Sequence, residues 1–136
     1  MLTDSAPQKY RILYVEDHED TIEIVSLVLS EQGYAVTPAR TFHTALEWAR
    51  QYKFDLYLLD SWLSDGFGLE LCKEIRMFDP TTPILFYSAA AYQIDRETAL
   101  MCGAQGYLVK PVMYSVLCDL IARLLQNEGA STGPAT

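Results

Sequence analysis

With 136 residues, half of them hydrophobic and about a fifth charged, the chain is long enough to bury one core and too short for two. Eighteen acidic against ten basic side chains give a net charge of −8, and no Lys/Arg cluster supplies the electrostatic footprint of nucleic-acid binding, so direct DNA or RNA binding is not expected. No run approaches the about 20 apolar residues of a membrane span, and the segment 1–9 has no apolar core flanked by basic residues, so the chain is read as cytoplasmic without membrane contact.

The first apolar run, Arg11–Val15 (RILYV), is rich in strand formers and is followed at once by Glu16, Asp17, His18, Glu19 and Asp20. Asp20 can cap a helix, with Glu23 completing a capping box, and Ile22, Val25, Val28 and Leu29 line one face until Gly33. A short strand over 34–37 follows. Thr41 can then cap a second helix carrying Ala45, Leu46, Trp48 and Ala49.

The run 54–59 is a third strand that ends on a carboxylate, Asp60. Residues 66–77 read as a third helix with Leu69, Cys72 and Ile75 inward, and Asp79-Pro80 marks a turn. Residues 84–87 form a strand ending at Ser88. A helix over 95–101 is stopped by Gly103, and Gly106–Val109 is a fifth strand ending at Lys110-Pro111. The last helix carries Val116, Leu117, Leu120, Ile121 and Leu124 at three- and four-residue spacing. It is more apolar than one free face requires, which points to a partner protein or a homodimer. Residues 1–9 read as an N-terminal extension, 10–126 as one domain, and 127–136 as a small, polar, flexible tail or the start of a linker.

Five strands alternating with five helices imply an α/β fold, a parallel sheet covered by helices on both faces. In open sheets of this kind chemistry gathers beyond the strands' carboxyl ends. The residues there are Glu16 and Asp17, Asp60, Ser88 and Lys110. Three carboxylates in one small site repel one another, and a hard divalent cation with oxygen ligands relieves them. Mg²⁺ suits such a set because it needs few carboxylates and readily takes phosphate oxygens, and no organic cofactor site is assigned. Asp60 then serves as a nucleophile that forms an aspartyl phosphate, with Lys110 binding a phosphoryl oxygen and Ser88 donating a hydrogen bond.

Taken together, YVEDHED, LYLLDSWLSDGFGLEL, PILFYSA and GAQGYLVKP resemble the receiver domain of two-component response regulators, over nearly the whole chain. The resemblance implies a flavodoxin-like (βα)5 three-layer sandwich with strand order 2-1-3-4-5. It implies that Asp60 is the phosphoacceptor and that Asp17, Asp60 and the main-chain carbonyl of Trp62 hold Mg²⁺, with Glu16 acting through water. Ser88 and Tyr107 would be switch residues, the Tyr107 ring swinging inward as the surface of the fourth helix, fifth strand and fifth helix changes. Lys110-Pro111 would be joined by a cis peptide.

The partners implied are a histidine kinase or phosphotransfer protein and a downstream protein or output domain. No output domain follows the last helix, so the chain acts through protein partners, passes phosphate along a relay, or is a piece of a longer regulator. It is read as a signalling phosphoprotein that assists only its own phosphoryl transfer and autodephosphorylation. Two departures stand out: Ser64 lies where relatives often have proline, and the acidic pair is Glu-Asp rather than Asp-Asp. Trp62 is expected to shield the acyl phosphate from water. A phosphatase of the haloacid dehalogenase type would need a second aspartate where Trp62 stands. A phosphorylation-independent scaffold of the same fold is the other alternative.

Of the remaining candidates, His18 and His43 read as surface residues. Asp65 and Asp79 read as turn residues. Cys72, Cys102 and Cys118 lie far apart without CxxC spacing and read as buried, reduced thiols.

Overall fold

The apolar runs pair into one parallel sheet, and the alternation of side chains within each run explains why helices cover both of its faces. The computed structural model describes residues 9–130. Its main strands are β1 (Arg11–Val15), β2 (Ala35–Ala39), β3 (Leu56–Leu59), β4 (Ile84–Ser88) and β5 (Gly106–Val109), in the order β2-β1-β3-β4-β5. The helices are α1 (Glu19–Glu31), α2 (Phe42–Gln51), α3 (Gly68–Phe78), α4 (Gln93–Met101) and α5 (Tyr114–Ala130). Between β3 and α3, Trp62–Leu63 and Gly66–Phe67 form a small antiparallel ribbon.

Leu13, Val15, Tyr57, Leu59, Ile84 and Phe86 pack on one side with Ala45, Ala49, Leu71, Cys72, Ile75 and Ala99 of α2, α3 and α4. Ile12, Tyr14, Leu56, Leu58, Leu85 and Tyr87 pack on the other with Val25 and Leu29 of α1 and Leu117, Ile121 and Leu125 of α5. A strand buried on both faces cannot alternate apolar with polar residues, so these strands are apolar throughout. Each fully buried leucine or isoleucine contributes roughly 1.5–3 kcal/mol relative to an exposed one.

Several boundaries differ from those the local pattern predicts. The cap of α1 is His18, whose Nδ1 accepts from the Thr21 N–H at 3.4 Å, not Asp20, which lies inside the helix. Strand β2 runs through Pro38 to Ala39. Proline is tolerated there because β2 is an edge strand, whose outer N–H groups have no ladder partner to lose. Gly66 and Phe67 belong to the ribbon, α3 starts at Gly68, and Leu71 joins Cys72 and Ile75 in the core while Leu69 is half-buried. Helix α5 extends to Ala130, past the position where composition places the tail. The parts of the expected N-terminal extension and C-terminal tail over 1–8 and 131–136 lie outside the described residues. All three cysteines are free, but only Cys72 is buried; Cys102 and Cys118 are half-buried.

Asp65 does more than turn the chain. Its carboxylate accepts from the backbone N–H groups of Phe42 at 2.7 Å and His43 at 3.1 Å, so it satisfies the open N-terminus of α2 from the β3–α3 loop. Thr41 caps the same helix by accepting from the Thr44 N–H at 3.1 Å. Asp65→Ala is expected to destabilise the fold by about 1–2 kcal/mol, the cost of losing an N-terminal cap. Urea unfolding checks this, and an unchanged midpoint would show the clamp to be idle.

Candidate functional site

Parallel register carries the candidate residues to one edge. Val15 lies opposite Leu59, so the next residues, Glu16 and Asp60, emerge side by side, fixed by Asp60 N–H donating to the Val15 carbonyl at 3.0 Å. Ser88 lies opposite Val109, and the Lys110 N–H donates to the Ser88 carbonyl at 2.8 Å. Glu16, Asp17, Asp60, Ser88 and Lys110 are thereby assembled from four segments distant in sequence. The Lys110-Pro111 peptide is cis.

Carboxylate oxygens of Glu16, Asp17 and Asp60 lie within 4.8 Å of one another. Glu16 is buried, Asp60 half-buried and Asp17 exposed, so the cluster opens to solvent on the Asp17 side. Lys110 Nζ lies 2.6 Å from Glu16 Oε1 and 3.7 Å from Asp60 Oδ2. The second Glu16 oxygen accepts from the His18 N–H at 3.1 Å. Such full pairing is what a buried carboxylate requires, since an unpaired one in low dielectric is costly. The sequence pattern aims Lys110 at a phosphoryl group; in the structure its ammonium lies closest to Glu16.

Asp60 is held differently. Burial, reinforced by the neighbouring Glu16 charge, pushes its carboxyl from 3.8 up to about 6, and Lys110 and the Ser61 N–H offset this only in part. The Ser61 N–H donates to Asp60 Oδ1 at 2.7 Å and fixes the carboxylate's rotation. The Asp60 carboxylate is therefore oriented, and its charged form is disfavoured by its surroundings, which suits a group that pairs with a cation. Asp60 Oδ2 faces Lys110 only at 3.7 Å and Asp17 is exposed, so both can turn to a hard ion, whereas both Glu16 oxygens accept hydrogen bonds, which fits an outer role. The donor set thus matches Mg²⁺.

The two switch candidates face the same loop. Ser88 is fully buried, and its Oγ accepts from the Ala90 N–H at 3.0 Å. The Tyr107 ring stacks on Phe86, with centroids 5.7 Å apart, and its hydroxyl donates to the Ala90 carbonyl at 2.7 Å. The ring is already turned in against the sheet. Trp62 is 58% exposed and, with Phe67 and Tyr107, lines a cavity of about 190 Å³ between the ribbon and α4.

Two site residues have no chemical signature in the sequence. Gly68 packs against Asp60: a Cβ built on it would lie 2.0 Å from the Asp60 carbonyl oxygen. Its only local trace is the GFG spacing, which blurs the start of α3. Ser61 orients Asp60 by its backbone and reaches Tyr107 by its hydroxyl at 3.3 Å, a contact between residues 46 apart.

Residues 12–122 match the family described as the response regulator receiver domain. The transcriptional regulatory protein CreB of Escherichia coli strain K12 is 30% identical over 128 residues, covering 94% of this chain and 56% of that protein. The alkaline phosphatase synthesis transcriptional regulatory protein SphR of Synechococcus elongatus is 36% identical over 134 residues, covering 90% of this chain and 52% of that protein. The chain thus spans about half the length of these curated relatives. A solved CheY-like response regulator receiver domain protein of Methanospirillum hungatei JF-1 superposes with a TM-score of 0.88 at 27% identity, covering 91% of this chain and 99% of that one. Among the described residues no helix is long and apolar enough to cross a membrane.

Proposed function

Because this chain belongs to the response regulator receiver domain family, we propose that it is a phosphorylation-dependent switch whose acceptor is Asp60, in the unit 10–126. The observation that carries this reading is the grouping at one sheet edge of Asp60 with Glu16 and Asp17, with Lys110 Nζ 3.7 Å from the acceptor carboxylate. The phosphoryl donor is a histidine kinase or phosphotransfer protein. An Asp60 oxygen attacks the phosphorus, a P–O bond forms as the P–N bond breaks, and the bond's electron pair returns to the donor imidazole.

Asp17, Asp60 and the Trp62 carbonyl would hold Mg²⁺, with Glu16 acting through water. When bound, the ion offsets negative charge on the transferred group. Lys110 supplies the remaining positive charge and moves from Glu16 toward a phosphoryl oxygen. Ser88 turns from Ala90 to donate to the same group, and that movement releases the loop whose carbonyl holds Tyr107. The α4-β5-α5 surface is thereby biased between two states and read by a downstream protein or output domain. The chain is a signalling protein whose catalysis is confined to its own phosphorylation and dephosphorylation, and its place is the cytoplasm.

The test of switching uses beryllofluoride, a stable mimic of the acyl phosphate, with Mg²⁺. Backbone resonances of Ser88, Ala90 and α4 are expected to shift. A folded protein whose spectrum does not change on addition of the mimic would favour the scaffold alternative.

Trp62 bears on lifetime. Its exposed indole stands two residues from the acceptor and restricts the approach of water, so Trp62→Ala is expected to lose its phosphoryl group roughly 2- to 10-fold faster, a barrier change of about 1 kcal/mol. Slower loss in the variant than in the wild type contradicts this shielding.

A further inference from the structure

The hydroxyl contact between Ser61 and Tyr107 has a direction. Tyr107 has one hydroxyl proton, and the Ala90 carbonyl, which can only accept, takes it at 2.7 Å. At the 3.3 Å contact Ser61 must therefore be the donor and Tyr107 the acceptor. The Ala90 N–H in turn donates to Ser88 Oγ at 3.0 Å. A chain of contacts thus runs from Asp60, through the Ser61 backbone and side chain, to Tyr107, then to the carbonyl of Ala90, across that residue's Cα to its N–H, and to Ser88.

We propose that Ser61 is a positioning residue for the switch, its hydroxyl holding the Tyr107 ring inward before any phosphoryl group arrives and so setting the resting state of the α4-β5 surface. The ring has two further contacts, the stack on Phe86 and the Arg96 guanidinium of α4 at 6.0 Å from its centroid. Neither fixes the hydroxyl. That atom is anchored by the Ala90 carbonyl and Ser61 alone among the described residues. When Ser88 turns to the phosphoryl group it releases the Ala90 N–H, and the loop at Ala90, whose carbonyl holds Tyr107, loses one of its two anchors. Ser61 holds Tyr107 from a different loop, independently of Ala90. Its backbone N–H donates to Asp60 Oδ1 at 2.7 Å, so the hold on Tyr107 is tied to the Asp60 loop. The cavity of about 190 Å³ that Ser61 and Tyr107 both line leaves the ring room to move when the contact is lost.

The phosphorylated half of this account rests on the proposed function, whereas the resting half does not. The experiment records ring carbon–proton spectra of protein labelled at tyrosine, with Tyr107 assigned by its loss in Tyr107→Phe, for the wild type, Ser61→Ala and Ser61→Thr. Without phosphate mimic, Ser61→Ala is expected to move Tyr107 toward the resonance position of an exposed ring, a change in the in-to-out ratio of about 2- to 10-fold, the span one modest hydrogen bond implies. Ser61→Thr, which retains the hydroxyl, is expected to keep the wild-type position. Identical spectra for the wild type and Ser61→Ala overturn the proposal, as do equal shifts in the alanine and threonine variants, which would make packing rather than the hydroxyl the cause. Beryllofluoride with Mg²⁺ is then expected to change Tyr107 more in Ser61→Ala than in the wild type, and an equal, non-zero change in both overturns the phosphorylated half of the proposal. No effect of the mimic on any variant, alongside a Ser61→Ala shift without it, would sink the phosphorylation reading and leave the resting role of Ser61 standing.

Discussion

Gly68→Ala is expected to cost about 3 kcal/mol, the upper end of what overpacking a well-filled site costs, and to slow phosphorylation of Asp60 as well. The added Cβ would fall 2.0 Å from the Asp60 carbonyl oxygen and 3.1 Å from the Phe86 ring. A flexible side chain can rotate away from such a clash. A strand-end carbonyl cannot, because Asp60 is tied to β1 through Val15 and the Gly68 N–H itself donates to the Ser61 carbonyl at 2.8 Å. The backbone of the acceptor loop must therefore shift. Urea unfolding gives the stability change. A loss below about 1 kcal/mol with normal phosphorylation would mean that α3 does not lock the acceptor loop in the way described.

The second large effect runs opposite to the usual expectation for a site residue: Asp60→Asn is expected to stabilise the Mg²⁺-free protein. The Asp60 carboxyl stands at about 6 in the folded chain against an ordinary 3.8, first through burial and then through Glu16. Below about pH 4 both folded and unfolded chains hold this proton, and the residue contributes no difference. Between about 4 and 6 the unfolded chain has released the proton while the folded one still binds it, so stability falls as pH rises through that window and stays lower above it. Asparagine does not titrate. In chelator at pH 7 to 8 the variant should gain about 1–2 kcal/mol after allowance for solvent screening at this partly open site, and the gain should vanish near pH 4. Mg²⁺ should narrow the gap by stabilising the wild type through mass action. Equal stability of the two proteins across pH 4 to 8 would show that Asp60 is not strained by its surroundings.

The fold was legible because its information is local. RILYV, LYLL and ILFYS are apolar on both faces, so each announces a doubly covered strand, and the intervening runs keep helical spacing. The carboxylates, Ser88 and Lys110 were legible for a related reason, since a charge directly after a buried strand has one place to go. Local pattern misled where two local signals competed. His18 rather than Asp20 caps α1, and Pro38 continues an edge strand that composition would end before it. What the sequence could not disclose was pairing across distance. Nothing near Asp65 says that it closes α2, and nothing near Glu16 says that Lys110, 94 residues away, is its partner. Ser61 and Gly68 are small residues whose importance comes from what lies against them, the Tyr107 hydroxyl and the Asp60 carbonyl.

The central claim is that Asp60 accepts a phosphoryl group in a reaction that requires Mg²⁺. Intact mass after incubation with acetyl phosphate tests it most directly, comparing the wild type with Asp60→Asn, each with Mg²⁺ or with chelator. The account predicts one phosphate adduct, present only in the wild type with Mg²⁺. An adduct that persists in Asp60→Asn or in chelator, or none at all on folded wild-type protein with Mg²⁺, would contradict it.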